Sequence, residues 1–123
     1  MPPKISSAEW EVMNVVWERH PMTAAQVFEA LPNHNEWAPK TVNTFLARLV
    51  EKGVLGVGKD GNVNVYSPRL SRAECMASER KDFLRRVYQG SAASLLMHFC
   101  ENAELSEAEI RELQRLLRKK KGE

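Results

Sequence analysis

Long apolar runs are missing from this chain. No stretch approaches the roughly 18 consecutive apolar residues that a membrane-crossing helix requires. The opening MPPKISSAEW lacks the apolar centre of a secretion signal, so the cytoplasm is the expected compartment. Cysteine is scarce. Cys75 and Cys100 stand apart without metal-ligand spacing, and in a reducing compartment they read as small core or surface residues. Catalytic signatures are missing as well. There is no HExxH, no GxSxG and no phosphate-binding glycine loop. His20, His34 and His98 are scattered, with no cysteine or carboxylate partner at ligand spacing, and read as surface or interface histidines. No enzyme, cofactor or metal is therefore expected, and no small-molecule ligand is implied. A strong charge of one sign is also absent. The net charge is +2, and residues 1–70 carry seven Lys or Arg against seven Asp or Glu. A basic footprint, the usual first mark of nucleic-acid binding, is thus missing from the front half. Any relation to DNA must rest on motif and geometry.

What the chain does have is a repeated way of starting helices. Ser6 with Glu9, Thr23 with Gln26, Ser71 with Glu74 and Ser106 with Glu109 each form the capping-box pattern, flanked by apolar residues able to staple the entry. The patterning predicts helices over about 7–19, 24–31, 39–52, 72–89, 91–100 and 107–119. Trp10, Met13, Val16 and Trp17 form the inward side of the first, and Val27, Phe28 and Leu31 that of the second. The third carries Val42, Phe45, Leu46, Leu49 and Val50, the spacing of a single buried face, and Gly53 stops it. Its start is the exception. Ala38 has no side-chain oxygen, Pro39 occupies the first helical position, and Lys40 places a cation where the helix dipole is already positive.

The stretch VLGVGKDGNVNVYSP, residues 54–68, reads as a β-hairpin. An Asp60-Gly61 turn would put Leu55 and Val57 on the face opposite Val63 and Val65. A three-residue loop, Lys59-Asp60-Gly61, would put all four on one face, and one buried face favours that loop. Three helices followed by a hairpin make a winged helix-turn-helix. The expected fold is mostly α, with a winged-helix domain at 1–70 and a helical dimerisation domain at 71–123. The back helices carry apolar stripes but little to enclose, and a second copy of the same segment is the simplest cover. The residues expected there are Phe83, Leu84, Val87, Tyr88, Leu95, Leu96, Phe99, Ile110, Leu113, Leu116 and Leu117.

The polar face of the third helix presents Lys40, Thr41, Asn43, Thr44 and Arg48. These are short hydroxyl and amide groups with two cations, on the helix that a helix-turn-helix lays in the major groove. Thr can touch a thymine methyl or donate a hydrogen bond, and Asn can pair with adenine. An uncapped helix start with a nearby cation also makes an anion site, for which a DNA phosphate is the natural occupant. A tolerated poor cap on an ordinary solvated helix is the alternative. The tail RKKKGE reads as a frayed solvated end.

The segments ISSAEWEVMNVVW, WAPKTVNTFLARLVEKG, VYSP, FLRRVYQG, SLLMHF and LSEAEIREL, in this order, resemble the penicillinase and methicillin-resistance repressor family from Ile5 to about Leu117. The resemblance implies a homodimeric winged-helix repressor covering operators upstream of β-lactam-resistance and sensor genes. It also implies a membrane sensor protease that relieves repression by cutting the C-terminal part. By position, the recognition helix is 39–52 and the scissile bond is His98–Phe99. Three departures stand out. Ala38 replaces the family's usual cap Ser. The wing retains only Lys59, with Asn62 where a cation is common. His98 stands where an Asn commonly precedes the cut. The paired Cys-x-Cys motifs of the family's copper-responsive branch are absent, and copper sensing is not expected.

Two classes of function remain open at this level. One is a DNA-binding repressor released by proteolysis. The other is a winged-helix regulator of other genes or a protein-interaction module, since the fold serves both.

Overall fold

A computed structural model describes residues 2–32 and 36–122. His34 lies outside the described residues. Six helices and one hairpin follow in the order α1 (Ser7–Glu18), α2 (Ala24–Ala30), α3 (Pro39–Glu51), β1 (Leu55–Asp60), β2 (Val63–Pro68), α4 (Arg72–Tyr88), α5 (Ala92–Asn102) and α6 (Glu107–Lys120). The winged helix-turn-helix is present, followed by three further helices.

Each capping box read from the sequence is formed. Ser6, Thr23, Ser71 and Ser106 accept from the backbone N–H three residues on, and Glu9, Gln26, Glu74 and Glu109 accept in return. At the other end of α3, Gly53 takes φ +80. Its N–H donates to Val50 O, and Val54 N–H donates to Leu49 O, both at 3.0 Å. These are the paired bonds of a left-handed helix stop, which glycine adopts without steric cost.

The chain divides into two compact units, Met1–Arg80 and Lys81–Glu123. The division falls inside α4, after Arg80 and not after Leu70 as expected. Side chains early in α4 explain the difference. Cys75 is buried in the front core with Val12, Met13, Val16, Met22, Val27, Leu31, Val42, Leu46, Leu49, Val54 and Leu55. The Arg72 guanidinium lies 5.5 Å over the Trp17 ring, and Trp17 Nε1–H donates to Leu70 O at 3.0 Å. Trp10 and Trp17 border this core half-buried, with ring centroids 5.6 Å apart. Within the second unit, α5 and α6 contain no buried residue among those described.

The hairpin corrects one expectation. Asp60 pairs with Val63 and Leu55 with Pro68, so the loop is Gly61-Asn62, two residues long, rather than the three-residue Lys59-Asp60-Gly61. Gly61 has φ +66 and Asn62 has no positive φ, which is the glycine-first pattern of a type II′ turn. In this register Leu55, Val57 and Tyr66 share one face, and Val63 and Val65 lie on the other. The expectation assumed one buried apolar face along the whole hairpin. Only the root is buried: Leu55 sits in the core, whereas Val57 and Val63 are 49% and 51% exposed. Register is held instead at the base. Met22 and Tyr66 exchange backbone hydrogen bonds of 3.1 and 2.7 Å, adding a short third partner on the outer side of β2.

Candidate nucleic-acid interface

The exposed face of α3 is built by its buried face. Val42, Leu46 and Leu49 point into the core, and Phe45 and Val50 are half-buried beside them. That leaves Lys40, Asn43, Thr44 and Arg48 exposed, with Thr41 half-buried. Five of the six expected DNA-facing residues are thereby brought together on one helix surface. The sixth, Lys59, is exposed on the hairpin, opposite Asn64. Among the described residues, Lys40, Arg48 and Lys59 form no ion pair, so their charges are available to an external anion. Thr44 is partly committed: its hydroxyl donates to Lys40 O at 3.1 Å. What it offers outward is a methyl group and an acceptor rather than a free donor.

The start of α3 carries no side-chain cap. The Ala38 carbonyl accepts from Thr41 N–H at 2.9 Å and Val42 N–H at 3.3 Å. Packing replaces the missing cap. Trp37, immediately before Ala38, sets its ring edge against Phe45 at 5.1 Å between centroids and 68° between planes. This contact holds the entry to α3. It was not read from the sequence, because Trp37 stands outside the helix pattern and its partner lies more than two turns on.

A second feature was missed for a similar reason. Glu9, the capping glutamate of α1, is 2% exposed and accepts Lys52 Nζ at 2.6 Å. Lys52 Nζ also donates to Lys4 O at 2.9 Å. Burial pushes the Glu9 carboxyl up, but the Lys52 ammonium and the Ser6 N–H outweigh it and hold the group below its ordinary 4.5. A local pattern identifies the capping role of Glu9 and says nothing of a lysine 43 residues away.

In the second unit, Val87, Leu96, Phe99, Leu116 and Leu117 are exposed, as are Phe83 and Ile110 to a lesser degree. Leu84, Tyr88, Leu95 and Leu113 are half-buried. The bond expected to be cut, His98–Phe99, lies inside α5 with both residues exposed. His98 Nδ1 is 2.8 Å from Tyr88 Oη, and His98 O accepts from Asn102 Nδ2 at 3.0 Å. Among the described residues no group of three or more His, Cys, Asp or Glu is placed to hold a metal, and no helix is long and apolar enough to cross a membrane.

A family model described as "Penicillinase repressor" matches residues 5–119. The chain belongs to the penicillinase repressor family. It is 39% identical over 120 residues to the penicillinase repressor of Bacillus licheniformis, covering 98% of this chain and 94% of that relative. It is 37% identical over 117 residues to the methicillin resistance regulatory protein MecI of Staphylococcus aureus, covering 95% of each chain. Among solved structures it is similar to the Bacillus licheniformis BlaI monomeric form in complex with the blaP half-operator. That match has a TM-score of 0.52 at 39% identity and covers 60% of this chain and 90% of that one. Family membership of this extent makes the chain a repressor-type protein and not an enzyme.

Proposed function

We propose that the chain is a homodimeric transcriptional repressor that binds operator DNA controlling β-lactam-resistance-type genes and works in the cytoplasm. The observation that carries this reading is the exposed polar face of α3, whose cations Lys40 and Arg48 form no ion pair among the described residues, on a winged-helix unit similar to one solved on a half-operator. Lys40 and Arg48 hold phosphates flanking the major groove, and Lys59 reaches a phosphate from the wing. Thr41 and Asn43 read base edges, and the Thr44 methyl packs on a thymine.

The second unit supplies the pairing. Its exposed apolar side chains, from Phe83 on α4 to Leu117 on α6, have too little around them to form a core in one chain. A second copy offers the same surface by symmetry. Two winged units so joined would engage two half-sites spaced by whole turns of DNA. Release is by hydrolysis at His98–Phe99 by a membrane sensor protease, which would detach α6 from the pairing surface. A protease needs an extended strand, so α5 must open locally before it is cut.

The test is a salt titration of binding to operator and random duplexes. A repressor gives a steep fall of log K with log[salt]. Lys40→Ala should weaken both duplexes and flatten the slope by about one unit. A flat salt dependence would instead favour a protein-interaction module, the reading that the near-neutral front half supports.

A further inference from the structure

Glu9 is the one buried charged side chain among the described residues. Its partner, Lys52, is the C-terminal cap of α3. One ammonium therefore joins three pieces: the end of α3, the first turn of α1, and the N-terminal arm through Lys4 O. Ile5, next along that arm, is buried in the front core. The carboxylate is itself fixed, since Ser6 N–H donates to the same Glu9 oxygen at 2.8 Å.

The apolar contacts of Val42, Leu46 and Leu49 set how deep α3 lies, but such contacts are non-directional and tolerate a small tilt. A hydrogen-bonded ion pair at the helix end is directional. The lever is short but sufficient. Thr41 lies five residues before Leu46, roughly 7 Å along the axis. A tilt of about 5° around Leu46 would move it by roughly 0.6 Å, beyond the ~0.5 Å within which a binding constellation must be held. Thr41 is too short to follow its base, while Asn43 and Thr44, nearer the pivot, move less. Lys40 and Arg48 are long enough to keep their phosphates.

We propose that Glu9 and Lys52 are positioning residues for base reading, clamping α3 so that its short side chains meet the base edges. This rests on the assignment of α3 as the DNA-reading helix. Losing the clamp should degrade discrimination between sequences before it degrades binding to DNA in general.

The experiment uses the full chain and two probes, the tightest duplex that the wild type selects from a random pool and a random duplex of equal length. Glu9→Gln, Lys52→Ala and Lys52→Arg are compared under conditions where circular dichroism shows each fully folded. Ser6→Ala serves as control, because it removes a cap and leaves the Glu9–Lys52 pair in place. Glu9→Gln and Lys52→Ala should lower the selected-to-random affinity ratio about tenfold or more, while random-duplex affinity changes by less than about threefold. Lys52→Arg should recover most of the ratio, and Ser6→Ala should leave it intact. If Glu9→Gln does not fold, the two substitutions at Lys52, a partly solvated partner, carry the comparison. An unchanged ratio in the folded variants, or equal loss on both duplexes, overturns the proposal and leaves the pair a purely structural one. A wild type that selects no duplex overturns the DNA assignment itself, which is recognisable before any variant is made.

Discussion

At the scale of single residues, Glu9 joins a local role to a distant one. It closes the capping box of α1 and pairs with the end of α3. Its carboxyl is held below the ordinary 4.5, so the folded chain binds fewer protons there than the unfolded chain. The stability this adds is complete above about pH 4.5 and is lost as pH falls through the depressed folded value. Glu74, Glu109 and Glu112 are displaced in the same direction but lie at the surface, where solvent weakens the effect. Glu9→Gln is expected to cost about 1.5–3 kcal/mol at neutral pH, the range for a hydrogen bond to a charged group. Lys52, 33% exposed, keeps part of its hydration when the carboxylate is gone. The difference between variant and wild type should shrink as pH drops below 4.5. Urea midpoints across pH 3–7 measure it, and a gap independent of pH would remove the ion pair as its cause.

At the scale of elements, helix starts and stops are the most legible features. A capping box needs only residues three apart, and the backbone N–H groups it satisfies are local. The start of α3 departs from this pattern, and its entry is held by Trp37 on Phe45. Ala38→Ser should therefore add an oxygen where the backbone already has the extended geometry of a cap, φ −73 and ψ 153. The expected gain is about 0.5–1 kcal/mol, read as a higher denaturation midpoint with an unchanged urea slope. No gain would mean that the Trp37 contact already determines the start, or that the added hydroxyl disturbs it. The hairpin was less legible because its apolar alternation continues past the buried root. Period-2 patterning selects a register only where one face is covered. Here Val57 and Val63 are both half in solvent on opposite faces, and the Met22–Tyr66 bonds decide the pairing.

At the scale of the whole molecule, the front unit has a core and the second unit, among its described residues, has none. A fragment ending at Arg80 is expected to fold as a monomer. One ending at Leu70 should be less stable by roughly 1–3 kcal/mol, because it loses the buried Cys75 and the Arg72–Trp17 contact. The full chain should sediment as a dimer, and the Arg80 fragment should bind a full operator on the order of 10²–10⁴ less tightly through lost linkage. A chain cut after His98 should behave like that fragment. Intact-mass measurement on a chain co-expressed with an active sensor protease identifies the cut, and derepression with the chain uncut would dismiss it. Equal affinity of fragment and full chain would dismiss the dimer.

The chain's own order of residues determined the six helices, their caps, the buried stripe of α3 and the polar face opposite it. Each depends on neighbours within a turn or two, so each is written in short spacings. Family membership is legible in the same way, through segments in fixed order. Tertiary structure alone decided the wing register, the Trp37–Phe45 entry, the place of Cys75 in the front core and the bond between Glu9 and Lys52. These join residues from different elements, and which distant groups meet depends on how the elements pack rather than on any local spacing.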